Sequence, residues 1–189
     1  MPRQPRILPQ QGFLHVMCRG NNRRKLFRTP TDKRKYRSLL IEFKQEDKIQ
    51  IHHYCLMGNH HHLMLSLGQE SNLPRFMKRV SLQYFFYYRY HRSYSGHLWQ
   101  GRYKSKLILN YPYLLQCGKY IELNPVSVGL TVSPKDYEFS SYRFYAFGQK
   151  DDLIDINPYY LELNTDQAAR QLNYQDLFVD EIAEKNIKI

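Results

Sequence analysis

The segment Met57-Gly58-Asn59-His60-His61-His62-Leu63-Met64-Leu65-Ser66-Leu67 places three histidines in one apolar run. Read as a strand, its period-two alternation puts His61 with Leu63, Leu65 and Leu67 on one face and sends His60 and His62 out together from the other. Two imidazoles so placed can ligate a divalent cation, and because two ligands are too few, a third group and solvent or substrate must complete the shell. A second segment, Gly118-Lys119-Tyr120-Ile121-Glu122-Leu123-Asn124-Pro125, carries Tyr120 and Asn124 at i and i+4. On a helix these lie one turn apart on one face, so the Asn124 amide oxygen can join a metal site while the Tyr120 phenol stands beside it as nucleophile. Taken singly, each feature has a plainer reading: a histidine-rich edge strand, a core tyrosine, and an Asn-Pro step that ends a helix with a capping amide.

The elements that must bring these segments together can be read along the chain. Residues 13–19 read as a strand closed by Gly20-Asn21-Asn22. A helix follows, capped by Thr31 and Asp32, with Tyr36, Leu39, Leu40 and Phe43 at the spacing of one buried face. Residues 49–57 and 60–67 form two strands joined at Gly58-Asn59, which suits a tight hairpin. A second helix runs from Leu73 to about Tyr90, burying Phe76, Val80, Tyr84, Tyr87 and Tyr88. The stretch after Gly96 through Leu109 reads as one or two strands, and Pro112 opens a third helix that runs to about Asn124 and is stopped by Pro125. This order predicts an α+β fold, with a ferredoxin-like antiparallel sheet and packed helices.

Composition narrows the partner. The 189 residues carry 28 Lys+Arg against 17 Asp+Glu, a net charge of +11, which points to an anionic partner. The charge is uneven: residues 1–150 hold 25 basic and 8 acidic side chains, whereas residues 151–189 hold 3 and 9. The acidic segment therefore reads as an appendage, a helical brace or a shield for a basic face, with a boundary near Gly148 to Asp152. Seventeen tyrosines and ten phenylalanines among basic residues suit base stacking and phosphate pairing on a single strand, although tyrosine also packs cores. Cys18, Cys55 and Cys117 form no C-x-x-C pair, which excludes a disulfide framework and a Cys-type zinc site. Arg3 and Arg6 lead into no apolar stretch, no run is long enough for a membrane span, and a cytoplasmic location is expected.

Several ordered motifs then carry a resemblance. Phe13-Leu14-His15-Val16, Arg19-Gly20-Asn21, Asn59-His60-His61-His62-Leu63, Leu98-Trp99-Gln100-Gly101-Arg102-Tyr103-Lys104-Ser105, Lys119-Tyr120-Ile121-Glu122-Leu123-Asn124-Pro125-Val126 and Ser140-Ser141-Tyr142 follow one another at family-like spacing. The sequence resembles the REP-associated tyrosine transposases, single-tyrosine transposases of the HUH endonuclease superfamily. Two positions depart from the family pattern: His61 stands where a hydrophobic residue is usual, and Gly58 where proline is frequent.

The resemblance implies a catalytic domain over residues 1–150 and an acidic C-terminal extension over 151–189. It implies that His60 and His62 bind Mg²⁺ or Mn²⁺ with Asn124 as third ligand, and that Tyr120 attacks a DNA phosphate. The product is a 5′-phosphotyrosine with a free 3′-hydroxyl, the intermediate of DNA strand transfer and transposition. A free tyrosine is roughly one part in a thousand ionised at neutral pH, so charge and positioning must supply the rest. The expected partner is single-stranded or hairpin DNA, held by Arg19, Asn21, Arg23, Gln100, Arg102 and Lys104 with Trp99 and Tyr103 as stacking faces. Arg24, Lys25, Arg75, Lys78 and Arg79 are further basic candidates. The protein is expected to act as a monomer or as a homodimer with exchanged helices. The alternatives are a non-catalytic nucleic-acid-binding protein and, less favoured, a metal-dependent hydrolase that makes no use of Tyr120.

Overall fold

The computed structural model describes residues 9–110 and 112–179. Arg3, Arg6 and residues 180–189 of the acidic segment lie outside the described residues. Strand β1 (Gly12–Arg19), helix α1 (Pro30–Glu46), strands β2 (Ile49–Leu56) and β3 (His60–Leu67), helix α2 (Leu73–Arg92) and strand β4 (Lys104–Ile108) follow in βαββαβ order. The strands lie side by side as β2-β3-β1-β4, every neighbouring pair antiparallel, which is the predicted ferredoxin-like α+β sheet. Helices α3 (Pro112–Glu122), α4 (Asn124–Ser127), α5 (Tyr142–Phe147), α6 (Pro158–Leu161) and α7 (Gln167–Asp176) complete the described chain.

Alternation assigns the two faces of the sheet. Leu14, Val16 and Cys18 on β1 stand beside Leu65, Leu63 and His61 on β3, all buried toward α1 and α2. His61 is the polar member of that face, and its buried ring bonds the Tyr36 hydroxyl at 2.9 Å. Tyr36 in turn meets Tyr84 of α2 edge-on at 5.0 Å, and the Tyr84 hydroxyl donates to the Leu26 carbonyl at 2.7 Å. Each of these large rings contributes roughly 1.5–3 kcal/mol by burial, and its hydroxyl does so without an unsatisfied polar atom. The opposite face carries Phe13, His15, Met17 and Arg19 of β1 beside Ser66, Met64, His62 and His60 of β3, and α3 packs there.

Local chemistry shifts some of the expected boundaries. The first helix is capped by Thr29 rather than Thr31: its side chain accepts from the Asp32 amide while the Asp32 carboxylate accepts from the Thr29 amide, a reciprocal box with Pro30 at the first turn. The buried face of α1 is Tyr36, Leu39, Leu40 and Phe43 as predicted. In α2 Phe76, Val80, Tyr84 and Tyr88 are buried, whereas Tyr87 turns to donate to Asp32 at 3.0 Å. Pro125 does not end the helical path. It occupies the first turn of α4, where its missing N–H costs nothing, so the chain turns at Leu123 and resumes. The stretch after Gly96 forms one strand, β4, preceded by an isolated bridge between Trp99 and Gly20.

The acidic segment contacts α1 and β2 through its carboxylates. Asp151 accepts from Arg37 at 2.5 Å and from the Tyr54 hydroxyl at 2.7 Å, and Asp155 accepts from Lys44 and from the Ile51 amide, each at 2.8 Å. Beyond them Tyr160 and Tyr174 close on Tyr142 and Tyr145 of α5 in an aromatic cluster.

Candidate active site

His60 and His62 project from the same face of β3, as the period-two pattern requires, with ring centroids 5.0 Å apart. Tyr120 of α3 stands over them: its ring is 5.8 Å from that of His62 and 5.9 Å from that of His15, edge-on to both. The strand histidines and the helix tyrosine, nearly 60 positions apart in sequence, thus border one place in space. Tyr120 remains 56% exposed, so its hydroxyl is open to a large substrate.

Neighbouring groups orient the imidazoles. His60 Nδ1 lies 2.6 Å from Asn59 Oδ1, and because Asn59 Nδ2 donates to the Arg23 carbonyl at 3.3 Å, the amide oxygen must face the ring. His60 therefore donates from Nδ1 and keeps Nε2 as a lone pair, the tautomer a metal ligand needs. His62 Nδ1 is 2.8 Å from His15 Nε2, with the rings stacked at 5.0 Å, which leaves His62 Nε2 as its other ring nitrogen. Burial pushes the His60 pKa down to about 4, with the Arg19 charge adding to it, and lowers His62 and His15 in the same way. All three rings are neutral at physiological pH, so no proton competes with a cation for them.

Helix α3 is fixed from beneath by a buried polar cluster. Glu122, two residues past Tyr120 and so on the opposite side of the helix, is fully buried. Its carboxyl group accepts from His53 Nδ1 at 2.8 Å, Ser141 Oγ at 2.5 Å and the Tyr174 hydroxyl at 2.8 Å. The far nitrogen of His53 accepts from Asn157 Nδ2 at 3.0 Å, an orientation set by Asn157 Oδ1 accepting from the Tyr159 amide. Gly118 leaves room for the His53 ring. A β-bulge at His52 makes this possible, because it turns both His52 and His53 toward the face that α3 covers.

Asn124 lies one turn beyond Tyr120, and its amide nitrogen donates to the Tyr120 carbonyl at 2.8 Å and the Ile121 carbonyl at 3.2 Å. It caps the end of α3, and neither of these bonds uses its Oδ1. Among the described residues no three His, Cys, Asp or Glu side chains are grouped to hold a metal. His60 and His62, side by side on one face of β3, are nitrogen donors of a kind that a divalent ion takes when oxygen ligands fill the rest of its shell.

The remaining candidates divide. Arg19 stands opposite His60 in the β-ladder, the Gln100 backbone N–H donates to the Arg19 carbonyl at 2.9 Å, and the Asn21 backbone N–H donates to the Leu98 carbonyl at 2.8 Å. Arg23, Arg24 and Lys25 are exposed on the loop that follows. That loop is wound tightly: Asn22 and Arg23 have φ of 50° and 55°, and a side chain at Gly20 would overlap the Arg24 carbonyl. Arg102 and Lys104 are exposed, and Lys104 and Lys106 share the sheet face of His15. Trp99, by contrast, packs with Tyr36, Tyr84 and His61 and donates Nε1–H to the Ser81 carbonyl at 3.0 Å. Tyr103 is only 7% exposed, so both rings belong to the packed interior rather than to an open stacking surface. Arg75 and Arg79 are engaged by Asp47 and Glu46. Two site residues stood inside the quoted motifs with no role assigned to them: His15, which only the alternation of β1 would place beside His62, and Glu122.

The ferredoxin-like sheet, with a histidine pair on one of its central strands facing a tyrosine on α3, agrees with the resemblance read from the motifs. Residues 10–124 match the family model described as "Transposase IS200 like", and the chain belongs to that family. Among solved structures it is similar to a REP-associated tyrosine transposase bound to a REP hairpin, at 21% identity and a TM-score of 0.66, covering 83% of this chain and 93% of that one. It is also similar to a putative transposase from Deinococcus radiodurans R1, at 16% identity and a TM-score of 0.45, over 64% of this chain and 96% of that one. No curated protein matches. Among the described residues no helix is long and apolar enough to cross a membrane.

Proposed function

We propose that the protein is a divalent-metal-dependent single-stranded DNA endonuclease and strand transferase with Tyr120 as nucleophile. The observation that carries this reading is the meeting of the Tyr120 ring with His62 at 5.8 Å while the hydroxyl-bearing side chain stays open to solvent. The phenolic oxygen attacks the scissile phosphorus, the P–O3′ bond breaks, and the departing 3′-oxygen takes up a proton. The 5′-phosphate is left esterified to Tyr120, which conserves the bond for rejoining to another 3′-hydroxyl. His60, His62 and Asn124 would hold the cation, whose chemistry is to offset charge on a non-bridging phosphate oxygen. Asn59 and His15 orient the two imidazoles, and the Glu122 cluster holds the helix that aims Tyr120.

Single-stranded or hairpin DNA is the substrate this reading favours. The similar solved structure holds a REP hairpin, and Arg19, Arg23, Lys104 and Lys106 lie near or on the histidine face. One chain supplies both the histidines and the tyrosine, which supports action in cis by a monomer. The test is incubation with short single-stranded hairpins and Mn²⁺, followed by a denaturing gel. Wild type should give a shifted, covalent protein–DNA band, and Tyr120→Phe should abolish it while DNA binding and thermal stability persist, since the hydroxyl has no packing role. Binding without any covalent band in wild type would replace this reading with that of a non-catalytic DNA-binding protein.

A further inference from the structure

Beside Tyr120, away from the histidine pair, the edge strand β4 and the first turns of α3 enclose a groove of about 600 Å³. Tyr120 and His15 form the wall it shares with the candidate active site, and the rest is mostly apolar. Tyr113, on this wall, is 66% exposed, and Leu107 and Leu109 are also open to solvent. An apolar, aromatic hollow left uncovered next to a strongly polar cluster is a binding feature rather than a packing one. Its polar groups are few: the side-chain amides of Asn110 and Gln116, and the Lys106 ammonium.

We infer that this groove is a nucleobase pocket that takes and reads one of the two bases flanking the phosphate attacked by Tyr120. The inference rests on the reading of Tyr120 as nucleophile and adds the origin of sequence preference at the cleaved bond. A phosphodiester seated at the Tyr120 hydroxyl carries a base on either side, and a groove of which Tyr120 is itself a wall lies within one nucleotide of it. The flat apolar face of a base suits the Tyr113 ring, since stacking tolerates any base. Its edge needs both donors and acceptors, which Asn110 and Gln116 each offer and no aliphatic wall can. Lys106, on the same sheet face as His15, is placed for the adjoining phosphate.

The test uses hairpin oligonucleotides with a randomised single-stranded foot and Mn²⁺, sequencing the strands trapped on the protein. In wild type one base should be enriched about tenfold at one position next to the cleaved bond, and Gln116→Ala should reduce that enrichment to within about twofold. Tyr113→Ala should slow adduct formation about tenfold, and an abasic residue at the same position should slow wild type equally but Tyr113→Ala no further. Both side chains are exposed, so the variants retain the fold. Adduct formation indifferent to the flanking bases, or a preference undiminished in both variants, would overturn the pocket and leave the nucleophile standing. Absence of any adduct in wild type would overturn both.

Discussion

Replacing Gly118 by alanine should loosen the protein and slow its chemistry, although the new residue is the better helix former. A Cβ built there lies 2.6 Å from His53 Cε1 and 2.8 Å from each ring nitrogen. Carbon contacts settle near 3.5–4 Å, so about 1 Å must be found. The ring cannot yield it cheaply, because it is fully buried, bonded at one nitrogen to Glu122 and at the other to Asn157, and stacked on Tyr145 at 4.5 Å. Overpacking of this kind costs about 1–3 kcal/mol, and lengthening the two hydrogen bonds adds about 1 kcal/mol each. Alanine returns only about 1 kcal/mol of helix propensity. The net loss is about 2–4 kcal/mol, which for a domain of this size lowers Tm by roughly 4–16 °C. If the helix moves instead of the ring, Tyr120 moves with it, and a 1 Å misplacement lowers the adduct rate about 100-fold. Calorimetry and single-turnover adduct formation measure the two effects. Removing the obstacle reverses the sign: in a His53→Ala background Gly118→Ala should be neutral or stabilising by up to about 1 kcal/mol. An equal cost in both backgrounds, or a Gly118→Ala protein as stable as wild type, would refute the steric account.

Two further outcomes follow from buried groups. Burial pushes the His52 pKa down to about 4. Because the unfolded chain then binds the extra proton, stability is full above pH 6.5 and is lost as pH falls toward 4, by about 2 kcal/mol for this residue at pH 5. The difference in urea stability between wild type and His52→Asn should therefore shrink by about that amount from pH 7 to 5, and a constant difference would disprove the linkage. Tyr174→Phe keeps the ring packed but removes one of three donors to the buried Glu122 carboxyl group, so it should cost about 2 kcal/mol in thermal unfolding, and no loss would show that the contact contributes nothing.

The alternation of residues 60–67 was enough to separate His61 from His60 and His62, because a strand allows only two directions. The helix faces of α1 and α2 were legible for the same reason at period 3.6, and Gly58-Asn59 marked the turn between β2 and β3, whose register then shifts by one residue at His52. What was hidden depended on contacts between distant segments. Read alone, Glu122 is an ordinary charged residue near a helix end, and only the convergence of His53, Ser141 and Tyr174 buries it. The bulge at His52 breaks the alternation of β2 without any glycine or proline to announce it. Trp99 and Tyr103 sit among basic residues in a motif that reads as a DNA surface, yet the bridge from Trp99 to Gly20 turns the indole inward onto Tyr36 and Tyr84. His15 was visible as part of a motif but had no role until β1 was paired beside β3.

The reversal of charge after residue 150 acquires a physical meaning from the same contacts. Helix α3 follows the last strand of the sheet and must cross its face to reach His62, and a lone amphipathic helix of this length is marginal on its own. Its aim is set by partners that come after it in the chain: Ser141, Asn157 and Tyr174 all converge on Glu122 or on the histidine that binds it. Asp151 and Asp155 bond Arg37 and Lys44 of α1, which draws the acidic segment against the basic body beside that cluster. Opposite charges that would be weak on an open surface here attach a segment whose buried tyrosine reaches the helix two residues from Tyr120. The segment least like a DNA-binding surface is thus the one on which the direction of Tyr120 depends.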